Sequence, residues 1–323
     1  MSVSIPDPEI QNALSEKLTT DDLGVGGLMP REVQEEFIDL VVGEAELLNT
    51  VSMTPRPRRR MRQPRIDMDE FSRRGRGEEA EVSKTGVDFE NLEIDCVEGS
   101  TSVDVTQEMI DEAVNTDDLG DTIMDALAMR YGRDTQALAI LGKEDATAAY
   151  NRAPADFRQQ NDGFLQKAAD SSMPQFANED DSGNPQPVSM DALGDMDDEF
   201  PDEYRSTVEP VYMMSHENYR TIRSELGDQY DTAGYAAVMG EEQFTPHGHD
   251  IATFDYWPND QVLLTGPMNL DYSYYNEMET DVLESSDAVF EKRLEMRVKV
   301  WADDDFVIKN PYAGVLMTDI ASS

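Results

Sequence analysis

Hydrophobic positions change period several times along the chain, and the changes mark out its elements. Behind Pro30, which suits a first helical turn, Val33, Phe37, Leu40 and Val41 share one face of a predicted helix over 31–43. Leu119, Ile123, Leu127, Leu138 and Leu141 recur at helical spacing over 118–141, with Asp117 as N-cap and Gly142 as stop. At 1.5 Å per residue that helix would run roughly 36 Å, long enough to act as a spine. Period two takes over at 87–97, where Leu92, Ile94 and Cys96 alternate with Glu93 and Asp95. It returns where Leu294, Met296, Val298 and Val300 alternate with Arg293, Glu295, Arg297 and Lys299, the pattern of a half-buried antiparallel strand. Shorter strands are predicted at 102–106, 208–214, 250–255, 261–265, 305–309 and 314–317, and a helix capped by Ser215 at 215–226. The mixture is of the α+β class, without repeats.

The remaining stretches lack such patterns. Residues 51–66 read as extended, and Pro55, Pro57 and Pro64 argue against a central strand. Residues 69–86, poor in apolar side chains and containing three glycines, read as the tip of a long exposed hairpin whose return strand is 87–97. Residues 145–205 are acidic and proline-bearing and read as loop, with 178–203 spread over the surface. Residues 1–28 read as a flexible arm.

Charge changes this picture. The chain carries 68 Asp and Glu against 26 Lys and Arg, a formal charge of −42. At low salt such a charge strains a compact state by self-repulsion, whereas at molar salt the Debye length is roughly 3 Å and the repulsion is screened. This points to a protein made in a salt-rich cytoplasm. Against that background nine arginines crowd into 56–76: Arg56, Arg58, Arg59, Arg60, Arg62, Arg65, Arg73, Arg74 and Arg76. Guanidinium groups keep their charge and pair bidentately with carboxylates. A grip on acidic neighbouring subunits, binding of nucleic acid, and a solvated basic loop are the three readings. Phosphate contacts weaken steeply with salt, and no stacking aromatics interleave the cluster.

Other candidate chemistry is sparse. Cys96 is the only cysteine, so no disulfide framework or paired-cysteine zinc site exists, and its apolar strand position suits an inert core thiol. No run of 18 apolar residues suggests a membrane span, and residues 1–20 lack the pattern of a signal peptide. His247 and His249 form a pair without a third placed ligand. Asp303-Asp304-Asp305 and Asp180-Asp181 offer oxygen ligands for a divalent cation, or simply solvated charge, without the spacing of a calcium loop. No nucleophile elbow, phosphate loop, dinucleotide fingerprint or zinc-protease motif is present, so no catalytic residue and no cofactor is expected.

The order of these parts resembles the HK97-like major capsid proteins of tailed double-stranded DNA viruses. Four stretches carry the resemblance: GVGGLMPREVQEEFIDLVVGEAELLNTVSM (24–53), VDVTQEMIDEAVNTDDLGDTIMDALAMRYGRDTQALAILGKED (103–145), EPVYMMSHENYRTIRSEL (209–226) and VFEKRLEMRVKVWADDDFVIKNPYAGVLMTDI (289–320). The resemblance implies an N-terminal arm and first helix (1–53), an extended loop (54–96), a peripheral domain with the spine helix (97–144), an axial domain (145–277) and the closing strands of the peripheral domain (278–323). It further implies a homo-oligomer of hexamers and pentamers that closes an icosahedral head around double-stranded DNA without sequence-specific binding. Portal, scaffold and decoration proteins would be its partners, the scaffold a separate chain. Assembly would take place in the host cytoplasm, the composition pointing to a halophilic archaeon. Some members of the family join a loop lysine to an asparagine of a neighbour, and Lys84 and Asn310 are the conceivable pair here. An encapsulin-like compartment shell, and a halophilic enzyme or binding module of divergent fold, are the alternatives.

Overall fold

The structure, a computed structural model, describes residues 27–28, 31–68, 87–105, 119–180, 182–229, 245–275, 277–283 and 296–321. A two-residue strand β1 (Gly27–Leu28) precedes α1 (Arg31–Glu44) and α2 (Glu46–Thr50). Both helices pack on the long α3 (Leu119–Leu141). Phe37 and Val41 are buried as their spacing requires, and Phe37 meets the ring of Tyr131 at 5.8 Å. Ile38 is buried as well while Leu40 is half exposed, so the inward face is rotated slightly from the expected one. On α3, Leu127, Leu138 and Leu141 face the core. The side chains of Val33, Leu119 and Ile123, and the expected cap Asp117, lie outside the described residues.

The end of α3 is fixed by close backbone approach. A Cβ on Gly142 would lie 2.3 Å from the carbonyl oxygen of Asn161, and one on Gly163 would lie 2.5 Å from that of Ala139. Only hydrogen fits in both places, which lets the following helix abut the spine. Arg158 donates from Nε to the carbonyl of Leu141 at 2.8 Å, giving a cation to the negative end of the helix.

Two sheets organise the strands. The first contains β1, β2 (Ser52–Arg56), β5 (Val97–Val105), β10 (Leu270–Tyr275), β11 (Glu279–Leu283) and β12 (Met296–Ile308). The long β12 is its axis: residues 296–304 pair with β5, 297–301 with β11 and 304–308 with β10, all antiparallel. β2 joins β10 in parallel at the end of the strand order, where the Pro55 nitrogen costs no ladder hydrogen bond in the interior. Here the structure corrects two separate expected strands into one 13-residue strand running through Asp303, Asp304 and Asp305, all buried.

The second sheet has the order β6 (Gln175–Ala177), β13 (Gly314–Thr318), β9 (Val262–Thr265), β7 (Val211–Met214) and β8 (Asp250–Thr253). The sheets do not divide at 277/278. β10 belongs to the first sheet, and the last strand, β13, returns to the second. The reason is in its side chains: Gly314, Val315, Leu316 and Met317 are all buried, the signature of a strand covered on both faces.

The stretch 145–205 is more ordered than its composition suggests. It forms α4 (Ala155–Arg158), α5 (Phe164–Asp170), β6, α6 (Met190–Asp198) and α7 (Asp202–Val208). Ser189 caps α6, accepting from the Ala192 amide at 3.1 Å. Leu193, Met196 and Phe200 are buried with Tyr212 and Val315 in the core of the second sheet. Helix α8 (His216–Gln229) starts at its predicted cap, Ser215, whose Oγ accepts from the Asn218 amide at 3.1 Å.

Candidate subunit interface

The arginine-rich segment runs through β2, a bend at 57–59 and β3 (Arg60–Met68), which pairs with β4 (Val87–Asp95) as a two-stranded ribbon separate from both sheets. Nine residues of each strand pair in register, from Arg60 opposite Asp95 to Met68 opposite Val87. Two directly opposed pairs at the root carry opposite charge: Arg60 reaches Asp95 at 2.7 Å and Arg62 reaches Glu93 at 2.7 Å, both exposed. Arg65 stands opposite Glu90 in register. At the root of the ribbon Met61, Leu92, Ile94 and Cys96 pack against Val307. A two-stranded ribbon of this kind is marginally stable by itself in water.

The root is held by buried carboxylates. Asp271 on β10 is fully buried and accepts from Ser52 Oγ at 2.8 Å, Thr54 Oγ1 at 2.6 Å, Ser273 Oγ at 2.8 Å and Arg56 Nη2 at 2.9 Å. Lys309 Nζ lies 3.3 Å away. Burial pushes the Asp271 carboxyl toward its neutral form, but the three hydroxyls and Lys309 outweigh burial and hold it below its ordinary value. The alternation of β2 puts Ser52, Thr54 and Arg56 on one face, which explains why all three reach this group.

The three aspartates of β12 divide by strand geometry. Asp303 lies 2.5 Å from Arg59 Nε, an ion pair by charge rather than by hydrogen-bond geometry. Asp305 pairs with Lys167 of α5 and accepts from the Asp95 amide at 2.9 Å. Asp304 points the other way, accepting from Tyr131 at 3.0 Å and Tyr272 at 3.2 Å. No cation faces Asp304 among these contacts. Burial raises it to about 7, against the two tyrosine hydrogen bonds, with Asp305 and Asp303 adding to the rise. These three groups are thus built into the core, which corrects the expectation of solvated charge.

The predicted site residues therefore separate. Arg56 is engaged inside its own subunit, with a side chain 12 % exposed. Arg59 is shared: it pairs with Asp303, lies 5.7 Å over the Tyr275 ring, and stays half exposed. Arg58, Arg60 and Arg62 are exposed, and Arg58 has no ion-pair partner among the described residues. The Arg65 side chain, Arg73, Arg74, Arg76 and Lys84 lie outside the described residues. Asn310 turns its side chain to its own loop, accepting from the Tyr312 amide at 3.1 Å.

The remaining candidates are tied locally. His247 Nε2 sits 3.1 Å from the Met190 carbonyl and His249 Nε2 sits 3.0 Å from Asp197, so the two histidines dock on α6 at separate points. Asp180 closes its own turn, accepting from the amides of Ser182 and Asn184 at 2.8 and 2.9 Å, while Asp181 lies outside the described residues. Among the described residues no group of three His, Cys, Asp or Glu is placed to hold a metal ion. Among them, too, no helix is long and apolar enough to cross a membrane. Cys96 is buried, and burial, followed by the charges of Asp305, Asp304 and Asp303, pushes its thiol up to about 12. Such a thiol stays protonated and is a poor nucleophile.

The Phage capsid family matches residues 25–318. The fold is similar to that in the satellite phage P4 procapsid with its size determination protein, with a TM-score of 0.63 and 15 % identity, covering 98 % of this chain and 96 % of that one. It is also similar to the capsid of the empty GTA particle, with a TM-score of 0.58 and 14 % identity over 85 % of this chain and 96 % of that one. Mycobacterium phage Bobi gives a TM-score of 0.53 and 12 % identity over 86 % and 91 %. Compared with curated protein sequences, the chain matches none.

Proposed function

This chain belongs to the phage capsid family, and we propose that its arginine-rich ribbon is the clamp by which each subunit grips the next. The protein is a major capsid protein, a component of the virion that multiplies into an icosahedral shell. The observation that supports the clamp is the contrast within the ribbon. Its root is anchored by ion pairs to buried carboxylates, while Arg58 in the bend and Arg60 and Arg62 on β3 stay exposed. An acidic neighbour supplies the missing contacts and offsets the ordering of the arm. Arg65, Arg73, Arg74 and Arg76 follow in the same basic stretch of sequence and are assigned the same role.

The finer reading follows the same logic. The first sheet with α3 forms the peripheral domain, and the second sheet with α6, α7 and α8 forms the axial domain near the centre of each capsomer. Hexamers and pentamers close a head around double-stranded DNA, with portal and scaffold proteins as partners during assembly in the host cytoplasm. The charge of −42 suits a virus of a halophilic archaeon. In molar salt, long-range attraction is screened and close guanidinium–carboxylate pairs are what remains to hold subunits together.

The test is the triple replacement of Arg58, Arg60 and Arg62 by Glu. Subunits should fold with unchanged circular dichroism, and electron microscopy in molar salt should show no closed particles. Normal particles from this variant would remove the clamp.

A further inference from the structure

Among the described residues six non-glycine positions have positive φ, Asn151, Arg152, Glu209, His247, Tyr256 and Asp319, and three of these lie in two adjoining exposed turns away from the ribbon. Tyr150 and Ala153 exchange both backbone hydrogen bonds at 2.9 Å, closing a two-residue turn over Asn151 and Arg152. Both central residues have positive φ, 45° and 70°. Asparagine is at home in the first of these positions, but the second is ordinarily glycine, because a Cβ is crowded there. Here it is arginine. A second outlier falls at Tyr256, with φ of 67°, in the connection between β8 and β9. A bulky aromatic in that region is strained.

The two turns are locked to each other. Asn151 Nδ2 donates to the Tyr256 carbonyl at 2.6 Å, and the Tyr150 hydroxyl bonds Asp260. The strained side chains nevertheless point outward. Tyr256 is 42 % exposed, and Arg152 is exposed with no ion-pair partner among the described residues. Both side chains keep a large part of their surface clear of the subunit's own packing.

We propose that this pair of turns is a second assembly contact, in which Arg152 pairs with carboxylates of another copy of the chain and Tyr256 packs against the same surface. Charge complementarity selects the occupant. With 68 acidic against 26 basic residues, the surface of a second copy is rich in carboxylates, and a free arginine is the scarce complement. Arginine and tyrosine are also the side chains that carry binding energy at interface centres. Locking them in fixed turns beforehand reduces the entropy lost on contact. The inference rests on shell formation by this chain and is independent of the ribbon clamp.

Arg152→Gly and Tyr256→Gly, made separately, test it. Glycine accepts positive φ, so dissociated subunits of both variants should melt at or above the parent's temperature. Shell formation, followed by sedimentation and electron microscopy in molar salt, should need roughly fivefold or more higher subunit concentration. Particles forming at the parent's concentration would overturn the proposal. So would subunits that melt lower, since the side chains would then serve their own fold. Particles in normal number but with less nucleic acid would also overturn it, assigning Arg152 to phosphate. The ribbon triple variant, run alongside, separates the two contacts: if it assembles and the glycine variants do not, the clamp fails and the paired turns stand. A parent that stays as single subunits would remove the premise of both.

Discussion

Arg56 and Arg60 lie four residues apart in one basic segment, yet they sit in opposite physical regimes. Arg56 meets a fully buried carboxylate already held by three hydroxyls, whereas Arg60 meets Asp95 with its own side chain 83 % exposed. Coulomb attraction between exposed groups is weakened by water and salt, and such pairs contribute little. A buried carboxylate that loses its cation has no such relief. One cluster of arginines thus contains two devices: an anchor that orients the ribbon and an exposed surface free to engage elsewhere.

The anchor should break first. Arg56→Ala leaves Asp271 with Lys309, at 3.3 Å, as its nearby cation among the described residues. The expected loss is about 3 kcal/mol of subunit stability, measured by denaturant unfolding in molar salt. A loss under about 1 kcal/mol would place Arg56 with the exposed arginines and dissolve the contrast.

Asp304 sharpens the comparison, because it is a buried carboxylate held by two tyrosines rather than by a cation. Its value in the folded chain, about 7, lies above the ordinary 3.8. Between these values the folded state holds the proton that the unfolded state has released. Stability due to this group is therefore full below about pH 4, falls as pH rises toward 7, and stays low above it, by about 1 kcal/mol per pH unit at the steepest. Asp304→Asn has no proton to lose, so its stability should show a shallower fall over pH 4–7 than the parent's. Parallel pH profiles would show Asp304 charged throughout and compensated by something else.

How much of this was legible in the sequence depends on the range of the interaction. The α3 spine and the β4 strand follow from local periodicity, because their neighbours along the chain share a face. The Asp271 anchor joins Thr54 to a partner 217 residues away, and no local pattern signals such a pairing. Helix α6 was hidden by composition: Leu193, Met196 and Phe200 keep helical spacing, but Asp195, Asp197, Asp198 and Glu199 between them resemble a solvated loop. Asp303, Asp304 and Asp305 misled in the same way. Three consecutive acids read as cation ligands or solvated charge until each is given its partner, and those partners come from the β2–β3 bend, β4, α3, α5 and β10. Strain at Arg152 and Tyr256 left no trace, since residue identity does not report φ where the usual glycine is absent.

The smallest effect closes the comparison at its exposed end. Arg60 stands directly opposite Asp95, and the carboxylate raises the guanidinium's already high value through a hydrogen bond and charge. Geometry alone would rank this pair beside Arg56–Asp271, since the contact is 2.7 Å against 2.9 Å. Solvent ranks it far lower. Arg60→Ala should leave subunit stability almost unchanged in molar salt, where the pair is further screened. Under the same conditions its effect on particle yield should exceed its effect on melting, because contact with a neighbour removes the water that weakens the charge. Equal small effects on both would confine Arg60 to its own ribbon and leave Arg58, Arg62 and the tip to carry the grip.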